Sequence, residues 1–526
     1  MSTPLVRKIA VLCLILVPAF WLAWVSRDVP HLGHFHDDGL YWVSAKSIAE
    51  GSGYKILSLP SQPAQTKYPP LYPAMLAAVW KLGLPGALWI TWIAFPLYLW
   101  LAWFVFARAG FGEKECMALV ALAGLCPTAV YYSATLMPDI WFGALLFGAI
   151  LFAQRDRPIA AGLLAGAAYL MKTMAAPLVL GVALWYLLRR DLWRAALYLA
   201  ASLPAVIGWT LWSRAHLAPG ADPVTLYYAN YLGYHLSIVS LSDLPQMIWQ
   251  NADQILRSFA SLLIFNLADT YFGVHLSRLI SIAAISGVVR LARERGLSPY
   301  HWFAICYAPI LLLWHFPPGE RFVMPMYPLL LAGLYVELRH FSALLVNAFR
   351  KGDAANRAVA ACMGLAAAAV AIFAVTVTAR ALTRDLPGVN AQHRLDKAKV
   401  DNVYRWIDAN LPKDANLFAY EDTKMFLETG RRACRFPVSP MAFYHDSKDE
   451  LLRPYARFGE FLRAQRLNYL LFTATDGYSD LPEDVRLEAR KAILAQPGVR
   501  PIHESDGFSV YEFRPELSQR ADAARP

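Results

Sequence analysis

The chain has 526 residues, of which 57% are hydrophobic, and its mean hydropathy is +0.35. Soluble domains usually hold about 45–50% apolar residues, so this composition excludes an ordinary soluble protein. The net charge is +10. The residues before Arg380 hold 26 basic and 17 acidic side chains, whereas those from Arg380 onward hold 23 and 22. The positive excess therefore lies among the apolar runs, as membrane orientation signals do, and does not indicate a nucleic-acid partner.

Apolar runs long enough to approach a membrane span recur along the first 380 residues. A spanning helix needs about 20 apolar residues. We predict eleven spans, at about 9–26, 87–107, 116–134, 139–154, 158–172, 174–188, 195–213, 274–290, 299–316, 322–338 and 357–379. The fifth and sixth are short and also fit a bent or re-entrant pair. No small-residue cleavage site follows the first run, so we predict a retained helix rather than a signal peptide.

The basic residues in the connecting segments predict how these spans are oriented. When eleven spans alternate, one side of the membrane collects Arg7, Lys8, Arg108, Lys114, Arg155, Arg157, Arg189, Arg190, Arg194, Arg290, Arg293, Arg295, Arg339, Arg350, Lys351 and Arg357. Positive residues favour the cytoplasmic side, so the N-terminus is predicted to be cytoplasmic. Three segments then lie outside: a loop over 27–86, a loop over 214–273, and the tail.

The tail differs in composition from the rest of the chain. Helix-like stretches at about 395–410, 449–466 and 482–495 alternate with β-rich runs at Leu417–Tyr420, Tyr469–Thr473 and Phe508–Phe513. This alternation predicts a small α/β domain. We therefore divide the chain into a membrane module over 1–380 and a periplasmic α/β domain over 381–526.

The first outside loop carries the most distinctive residues. It places the pair Asp37-Asp38 directly after the first span and before an amphipathic stretch. An ionised carboxylate at the start of a helix is stabilised by the helix dipole and can accept a proton from a hydroxyl. On spacing alone, simple capping of the helix is the favoured explanation of an acidic pair. Further along, the loop reads Gly51-Ser52-Gly53-Tyr54 and then Lys67-Tyr68-Pro69-Pro70-Leu71-Tyr72-Pro73.

This order of motifs resembles the first periplasmic loop of the GT-C superfamily of membrane glycosyltransferases. The most similar branch is that of the bacterial relatives of protein O-mannosyltransferases and of the lipid A aminoarabinose transferase. Later stretches fit the same pattern: Ser133-Ala134-Thr135-Leu136-Met137-Pro138-Asp139, Tyr169-Leu170-Met171-Lys172-Thr173, and Gly319-Glu320-Arg321-Phe322-Val323-Met324-Pro325. The tail segment from Val403 to Arg431 is also similar to tails in this group. The resemblance implies a polytopic α-helical membrane protein of GT-C type with a small C-terminal α/β domain.

The resemblance also implies a reaction, the inverting transfer of a sugar from a polyprenyl-phosphate-linked donor to an acceptor hydroxyl at the periplasmic face. Such an enzyme is a hexosyl- or pentosyltransferase. The phosphate leaving group needs cations, and Arg321 and Lys172 are the predicted ones. Asp37 is our first choice of base and Asp38 the second. The remaining predicted substrate-binding residues are Lys67, Tyr68, Asp139 and Glu320.

Each of these residues also has a simpler explanation. Arg321 and Lys172 would also fit as charges that reach the lipid headgroups, and Asp139 as a helix cap. Two departures from the family pattern matter. Asp38 stands where the mannosyltransferases often carry Glu, which leaves the division of roles within the acidic pair open. Tyr68 separates Lys67 from the Pro pair, which puts the role of Lys67 in doubt.

The predicted partners are the lipid-linked donor, a glycan, lipid or protein acceptor, and membrane lipids, with no nucleic acid. We expect no cofactor. A divalent metal held by His34, His36, His315 and the two aspartates is a weaker alternative, since their spacing matches no familiar ligand pattern. The second loop is rich in tyrosine (Tyr227, Tyr228, Tyr231 and Tyr234), which fits either a mobile lid or an interfacial aromatic belt.

The expected location is a bacterial inner membrane. Two other classes of protein stay open at this point. A secondary transporter predicts internal repeats and charges near the middle of the bilayer, and neither is evident in the sequence. A non-catalytic protein of cell-envelope assembly, with the tail as its binding module, is the other alternative.

Overall fold

The computed structural model describes residues 3–27, 32, 35–217, 222–236, 238–438, 443–445, 447–473, 476, 481–505 and 507–516. The chain divides into two compact units. Unit 1 contains Met1–Asp28, Leu88–Trp209 and Met247–Asn390, and unit 2 contains Val29–Ala87, Thr210–Gln246 and Ala391–Pro526. The two stretches Val29–Ala87 and Thr210–Gln246 therefore belong to the same compact body as the tail.

Helices dominate the chain up to the tail. In the first part they are α1 (Thr3–Ser26), α2 (Asp37–Ala49), α3 (Leu71–Ala78), α4 (Gly83–Arg108), α5 (Glu113–Gly124), α6 (Pro127–Ser133), α7 (Asp139–Gln154), α8 (Pro158–Met171), α9 (Ala176–Leu188) and α10 (Leu192–His216). They are followed by α11 (Pro223–Ala229), α12 (Tyr231–Leu236), α13 (Leu244–Leu263), α14 (Tyr271–Arg295), α15 (Pro299–Leu312), α16 (Glu320–Val323), α17 (Tyr327–Lys351) and α18 (Ala354–Arg380). The predicted second loop, 214–273, thus contains the 20-residue helix α13.

Six helical stretches of the described chain are long and apolar enough to cross a membrane: Val6–Ser26, Trp80–Arg108, Leu192–His216, Tyr271–Arg295, Glu320–Lys351 and Ala354–Asn410. A seventh candidate is α5 with α6, which are bent by 65° at the break between them. Three shorter apolar helices occupy Asp139–Gln154, Pro158–Met171 and Thr173–Leu188. The protein is a multi-pass membrane protein, and the count of eleven spans stays a prediction.

Small residues bring the helices of unit 1 close together. A side chain at Gly287 of α14 would have its Cβ 1.8 Å from the Gly333 backbone oxygen of α17. Only glycine permits this approach of the two helices. One turn further along each helix, Arg290 Nε of α14 lies 3.0 Å from a carboxylate oxygen of Glu337 in α17.

The pair α7 and α8 is antiparallel, with the tight turn Arg155–Arg157 between the two helices. Asp139 begins α7 and Lys172 directly follows α8, so both residues lie at the end of the pair that is opposite this turn. A 16-residue helix is about 24 Å long at 1.5 Å per residue. Asp139 and Arg155 are therefore separated by most of the thickness of a bilayer core.

A five-stranded mixed sheet forms the centre of the tail. After α19 (Leu386–Asn410) come β1 (Asn416–Phe418), α20 (Asp422–Thr429), β2 (Arg432–Cys434), α21 (Lys448–Leu452), α22 (Phe458–Ala464), β3 (Tyr469–Thr473), α23 (Glu483–Leu494), β4 (Val499–Ser505) and β5 (Phe508–Phe513). The strand order is β2-β1-β3-β5-β4. Strands β2, β1 and β3 are parallel, and β5 pairs antiparallel with β3 and β4. The small C-terminal α/β fold is confirmed.

The core of unit 2 draws on three separated parts of the chain. Leu40 and Ile56 from the first loop and Tyr228 from the second loop are buried in one cluster with Phe418 and Phe458 of the tail. The backbone N–H of Ala433 in β2 donates to the Ser58 backbone oxygen at 2.8 Å. The first loop is therefore built into the tail domain and is not a separate excursion of the chain.

Candidate functional site

The acidic pair forms the first turn of α2. His36 occupies the position before the helix and makes no side-chain capping hydrogen bond, so neither aspartate is the N-cap residue. Asp38 is fully buried, and its Oδ1 accepts a hydrogen bond of 2.8 Å from the Gly39 N–H. Asp37 is partly exposed. The two neighbouring carboxylates therefore differ in their access to solvent, and only Asp37 can be reached without a rearrangement.

Tyr68 and Lys67 lie beside the acidic pair, as the motif order led us to expect. The Tyr68 hydroxyl donates to Asp37 Oδ1. The Lys67 ammonium lies 5.0 Å from the centre of the Tyr68 ring and 4.8 Å from that of Tyr227. The Gln65 side-chain oxygen accepts from the backbone N–H groups of both Lys67 (3.3 Å) and Tyr68 (3.4 Å). The Tyr68 hydroxyl therefore holds one carboxylate oxygen of Asp37, and Lys67 lies beside the ring of that tyrosine.

A buried hydrogen-bond network joins the acidic pair to the tail, and the sequence did not point to it. His36 Nε2 lies 3.0 Å from Asp422 Oδ1. The other oxygen of Asp422 accepts from the Tyr228 hydroxyl at 2.8 Å, and that hydroxyl accepts from the Arg435 N–H at 3.1 Å. His36 and Asp422 are 386 residues apart in the chain. No spacing pattern in the sequence could have joined them.

His36 is held in an unusual conformation. Its φ is +60° and its ψ is −42°, a region that residues other than glycine rarely occupy. Burial lowers the pKa of His36 below its usual value, the nearby charges of Arg435 and Lys67 act in the same direction, and Asp422 opposes them. The ring is therefore neutral near pH 7, and its Nε2–H donates to Asp422. This contact fixes the residue that directly precedes Asp37.

A close approach of two helices fixes the acidic pair from its other side. A side chain at Gly39 would have its Cβ 2.1 Å from Thr423 Oγ1 and 2.8 Å from Thr423 Cβ. Gly39 lies in α2 directly after Asp38, and Thr423 lies in α20 directly after Asp422. The helix with the acidic pair therefore lies against α20 at a distance that only glycine allows.

Unit 1 holds the second cluster of predicted residues. Lys172 Nζ lies 2.6 Å from Asp139 Oδ1, and Arg321 Nε lies 3.2 Å from the same carboxylate. The exposed side-chain fractions are 3% for Asp139, 9% for Lys172 and 14% for Arg321. Two cations, of which Lys172 is buried and Arg321 partly buried, thus share one buried carboxylate. The structure brings these three predicted residues together.

Phe322 and Glu320 flank this cluster. The Phe322 ring centre is 5.3 Å from Lys172 Nζ and 5.5 Å from the Arg321 guanidinium carbon. The Phe322 backbone oxygen accepts from the buried Tyr307 hydroxyl at 2.9 Å. Glu320 begins α16 and is half-buried, and no Lys, Arg or His of the described chain lies within 4 Å of its carboxylate. Glu320 is therefore a neighbour of the ion cluster in sequence but not a member of it.

The second loop contributes tyrosines to the interior of unit 2. Tyr228 is fully buried, and the Tyr234 side chain is also buried. The Tyr227 and His36 ring centres are 6.2 Å apart in a stacked arrangement. The side chain of Tyr231 lies outside the described residues. Tyr228 therefore acts as a core residue with a polar contact to Asp422, rather than as part of a lid or belt.

A metal site was the weaker alternative in the sequence. Within the described part of the chain, no group of three or more His, Cys, Asp or Glu side chains is arranged to hold a metal ion. His36 is already hydrogen-bonded to Asp422, and His34 lies outside the described residues.

Comparisons with known proteins give a result at the level of fold. No family model and no curated protein matches the sequence. Among solved structures, ArnT from Cupriavidus metallidurans bound to undecaprenyl phosphate is similar to this chain with a TM-score of 0.52 and 15% identity, over 95% of this chain and 97% of ArnT. The apo state of the same protein gives a TM-score of 0.53 and 14% identity, over 97% of this chain and 99% of ArnT. The chain therefore shares over nearly its whole length the fold of ArnT, a GT-C transferase, and the resemblance inferred from the motifs is confirmed at that level.

Proposed function

We propose that this protein is a glycosyltransferase that moves a sugar from a polyprenyl-phosphate-linked donor to an acceptor hydroxyl at the periplasmic face of an inner membrane. The observation that carries the proposal is the cluster of Asp139, Lys172 and Arg321, in which two cations share one buried carboxylate. Two cations held side by side at a largely buried position suit an anion. The fold shared with ArnT, which binds undecaprenyl phosphate, supports a lipid phosphate as that anion.

The proposed role of the cations follows from the charge that the reaction develops. When the bond between the sugar C1 and the phosphate oxygen breaks, its electron pair stays on that oxygen. The phosphodiester then becomes a phosphate monoester with one additional negative charge. Arg321 and Lys172 stabilise this charge as it forms, and no general acid is needed to protonate the leaving group. Asp139 holds the two cations in place before the donor arrives.

The acceptor half of the reaction needs a base, and Asp37 is our proposed one. It is partly exposed, it receives a hydrogen bond from the Tyr68 hydroxyl, and Lys67 lies near that tyrosine. The acceptor oxygen forms the new bond to C1 while its proton passes to the Asp37 carboxylate. Attack from the face opposite the leaving phosphate inverts the anomeric centre, as in inverting glycosidases. Asp38 is fully buried, which favours a supporting role for it.

Lys67, Tyr68 and Glu320 complete the proposed set. Tyr68 orients Asp37 through its hydroxyl, and Lys67 supplies positive charge beside the Tyr68 ring. Glu320 is proposed to contact the acceptor, since it is half-buried and none of the described cations neutralises it. A hexose or a pentose is the proposed class of sugar, and no metal is required.

A transfer assay with purified protein in lipid vesicles and a polyprenyl-phosphate sugar tests the proposal. We expect Arg321→Gln to lower the transfer rate by about 100-fold or more, as removal of one preorganised charge does elsewhere. Arg290→Gln is the matched control, because Arg290 is also paired with a carboxylate in unit 1 but lies outside the cluster. If both variants transfer at the wild-type rate, the cluster does not act on the leaving phosphate.

The sidedness of the proposal has its own test. A cysteine placed at Glu50, the exposed residue that follows α2, should react in intact cells with a thiol reagent that does not cross the inner membrane. The exposed end of α17 at Lys351 should react only after the cells are opened. Labelling with the opposite pattern would place the acidic pair in the cytoplasm and would remove the lipid-linked donor from the proposal.

A further inference from the structure

A cavity of about 300 Å³ lies in unit 1 at the end of α7 that carries Gln154. It is bordered by the ends of α4, α7, α9 and α14 and by the start of α15. Because α7 is about 24 Å long, this cavity and Asp139 lie at opposite ends of that helix. The cavity is therefore separate from the cluster of Asp139, Lys172 and Arg321, and the proposed sugar transfer gives it no role.

His301 lines this cavity, and its hydrogen bonds define which ring nitrogen carries the proton. Its Nδ1 lies 3.2 Å from the Ser298 backbone nitrogen, which can only donate, so Nδ1 accepts and carries no proton. The Ser298 hydroxyl lies 2.7 Å from the same Nδ1. In the neutral ring the proton is then on Nε2. His301 is 6% exposed, and its Nε2 has no hydrogen-bond partner among the described residues.

An unpartnered buried donor is costly, and a small rotation of the His301 ring would let a ligand oxygen in the cavity accept from Nε2–H and remove that cost. Gln154 adds a second such group. Its side-chain oxygen is buried without a partner in the described part of the chain, and rotation of the amide presents the NH2 group in its place. Two residues that line the cavity therefore carry buried hydrogen-bonding groups that the described residues do not satisfy.

Two arginines line the same cavity and give it a charge. Arg108 and Arg295 are exposed, and no described carboxylate lies within 4 Å of either guanidinium. Arg295 is held in position, since a side chain at Gly110 would have its Cβ 2.1 Å from Arg295 Nη1, and the Phe111 ring centre lies 5.4 Å from the guanidinium. Two cations and a neutral donor together favour an anion with several acceptor oxygens, such as a phosphate.

The rest of the lining is apolar. It includes Phe106, Trp185, Leu291 and Leu329, which belong to the apolar helices α4, α9, α14 and α17. A small inorganic anion would leave this apolar surface uncovered, whereas a lipid would cover it with a hydrocarbon chain. We propose that the cavity binds the phosphate headgroup of an anionic phospholipid, with Arg108 and Arg295 at the phosphate and His301 Nε2–H as an additional donor.

Lipid binding to the delipidated, full-length protein in detergent tests the proposal by native mass spectrometry. Phosphatidylglycerol is the probe, and diacylglycerol (a chain without phosphate) and inorganic phosphate (phosphate without a chain) are the comparisons. We expect the tightest site for phosphatidylglycerol to weaken by about 10-fold or more in the double variant Arg108→Gln, Arg295→Gln. The matched control is Arg155→Gln, Arg293→Gln, which removes two exposed arginines from the neighbouring helix ends without touching the lining.

A second variant separates the cavity from charge alone. Ala332 is buried and lines the cavity, so Ala332→Leu reduces its volume and leaves every charge in place. This variant should also lose the tight site, while its elution from size exclusion stays that of the wild type. Equal loss in the control pair, or wild-type affinity in both test variants, overturns the proposal. Binding of inorganic phosphate as tight as that of phosphatidylglycerol overturns the assignment to a lipid.

Discussion

Unit 1 and unit 2 each hold a cluster centred on aspartate, and the two clusters use that residue in opposite ways. In unit 1, Asp139 is buried between Lys172 at 2.6 Å and Arg321 at 3.2 Å. In unit 2, Asp37 is partly exposed and accepts a hydrogen bond from the Tyr68 hydroxyl. A buried carboxylate paired with two cations anchors them, whereas a partly exposed carboxylate can be reached by an acceptor hydroxyl and can take its proton. The burial of an aspartate, more than the motif that contains it, therefore indicates its role.

The largest expected effect concerns the proposed base. Asp37→Asn removes the proton acceptor, and loss of a general base typically costs about 100- to 10,000-fold in rate. We expect the transfer rate to fall within that range while the melting temperature stays near that of the wild type, because Asp37 is partly exposed. Glu50→Gln, which removes an exposed carboxylate just after the same helix, is the control. Full transfer by both Asp37→Asn and Asp38→Asn would refute the assignment of the base to this pair.

Asp139→Asn should act on stability as well as on activity. It leaves the buried Lys172 and the partly buried Arg321 without their shared carboxylate, and breaking a buried ion pair in this way costs about 3–5 kcal/mol. We expect a lower melting temperature in addition to a lower transfer rate. Thermal unfolding in detergent, measured next to Asp37→Asn, gives the comparison directly. An Asp139→Asn variant as stable as the wild type would mean that the two clusters do not differ in the way described above.

The packing of α2 against α20 predicts a smaller effect in unit 2. Gly39→Ala places a methyl group 2.1 Å from Thr423 Oγ1, and overpacking of this kind costs about 1–3 kcal/mol. We expect a lower melting temperature and a lower kcat, because the helix that carries Asp37 must shift. Thr423→Gly in the same chain should restore part of both losses. The control is Gly388→Ala in α19, where a new Cβ meets nothing within 4 Å.

A third aspartate, Asp476 in unit 2, predicts that the stability of the protein depends on pH. Burial raises the pKa of Asp476 to about 7, and the hydrogen bonds from Thr473 and the charge of Arg490 offset only part of this shift. The folded protein therefore binds a proton here more tightly than the unfolded chain, and stability is lost as the pH rises from about 4 to about 7.

Asp476→Asn removes this ionisation. We expect the melting temperature of the variant to lie a few degrees above that of the wild type at pH 8 and close to it at pH 4.5. In domains of this size, a change of 1 kcal/mol in the free energy of unfolding shifts the melting temperature by ~2–4 °C. Differential scanning fluorimetry across this pH range is the measurement. A constant difference between the two proteins at all pH values would show that Asp476 does not titrate in this window.

The sequence predicted those features that rest on local patterns. The helix-like stretches of the tail correspond to α19, to α21 with α22, and to α23, and the runs at Tyr469–Thr473 and Phe508–Phe513 are strands β3 and β5. Strand β2 was missed because its three residues, Arg, Ala and Cys, include none of the β-branched or aromatic side chains that indicate a strand. Strand β4 was missed because it lies at the sheet edge, contains Pro501 and is largely exposed, so it lacks an apolar face.

The site was predictable in its residue types but not in its connections. Shared sidedness grouped Asp139, Lys172 and Arg321, and they do form one cluster. The contact of His36 with Asp422 had no local signal, because Asp422 lies in an ordinary polar stretch of the tail. Glu320 is adjacent to Arg321 in the sequence but is not part of the described ion cluster, and its predicted contact with substrate stays a prediction. Adjacent residues of a helix point in different directions, so sequence neighbours need not share partners.

The core of unit 2 has a consequence for how this protein is made. Leu40 and Ile56 are packed with Phe418, so the acidic pair has its supporting core only after the tail has been synthesised. His36 can form its hydrogen bond only after Asp422 has been synthesised, 386 residues later. At 5–20 residues per second, synthesis of this stretch takes about 20–80 s. Until then the first loop is a nascent segment without its final partners, open to proteases and chaperones. A chain whose synthesis ends before the tail would contain most of its membrane helices, but the segment around its acidic pair would lack the core that supports it.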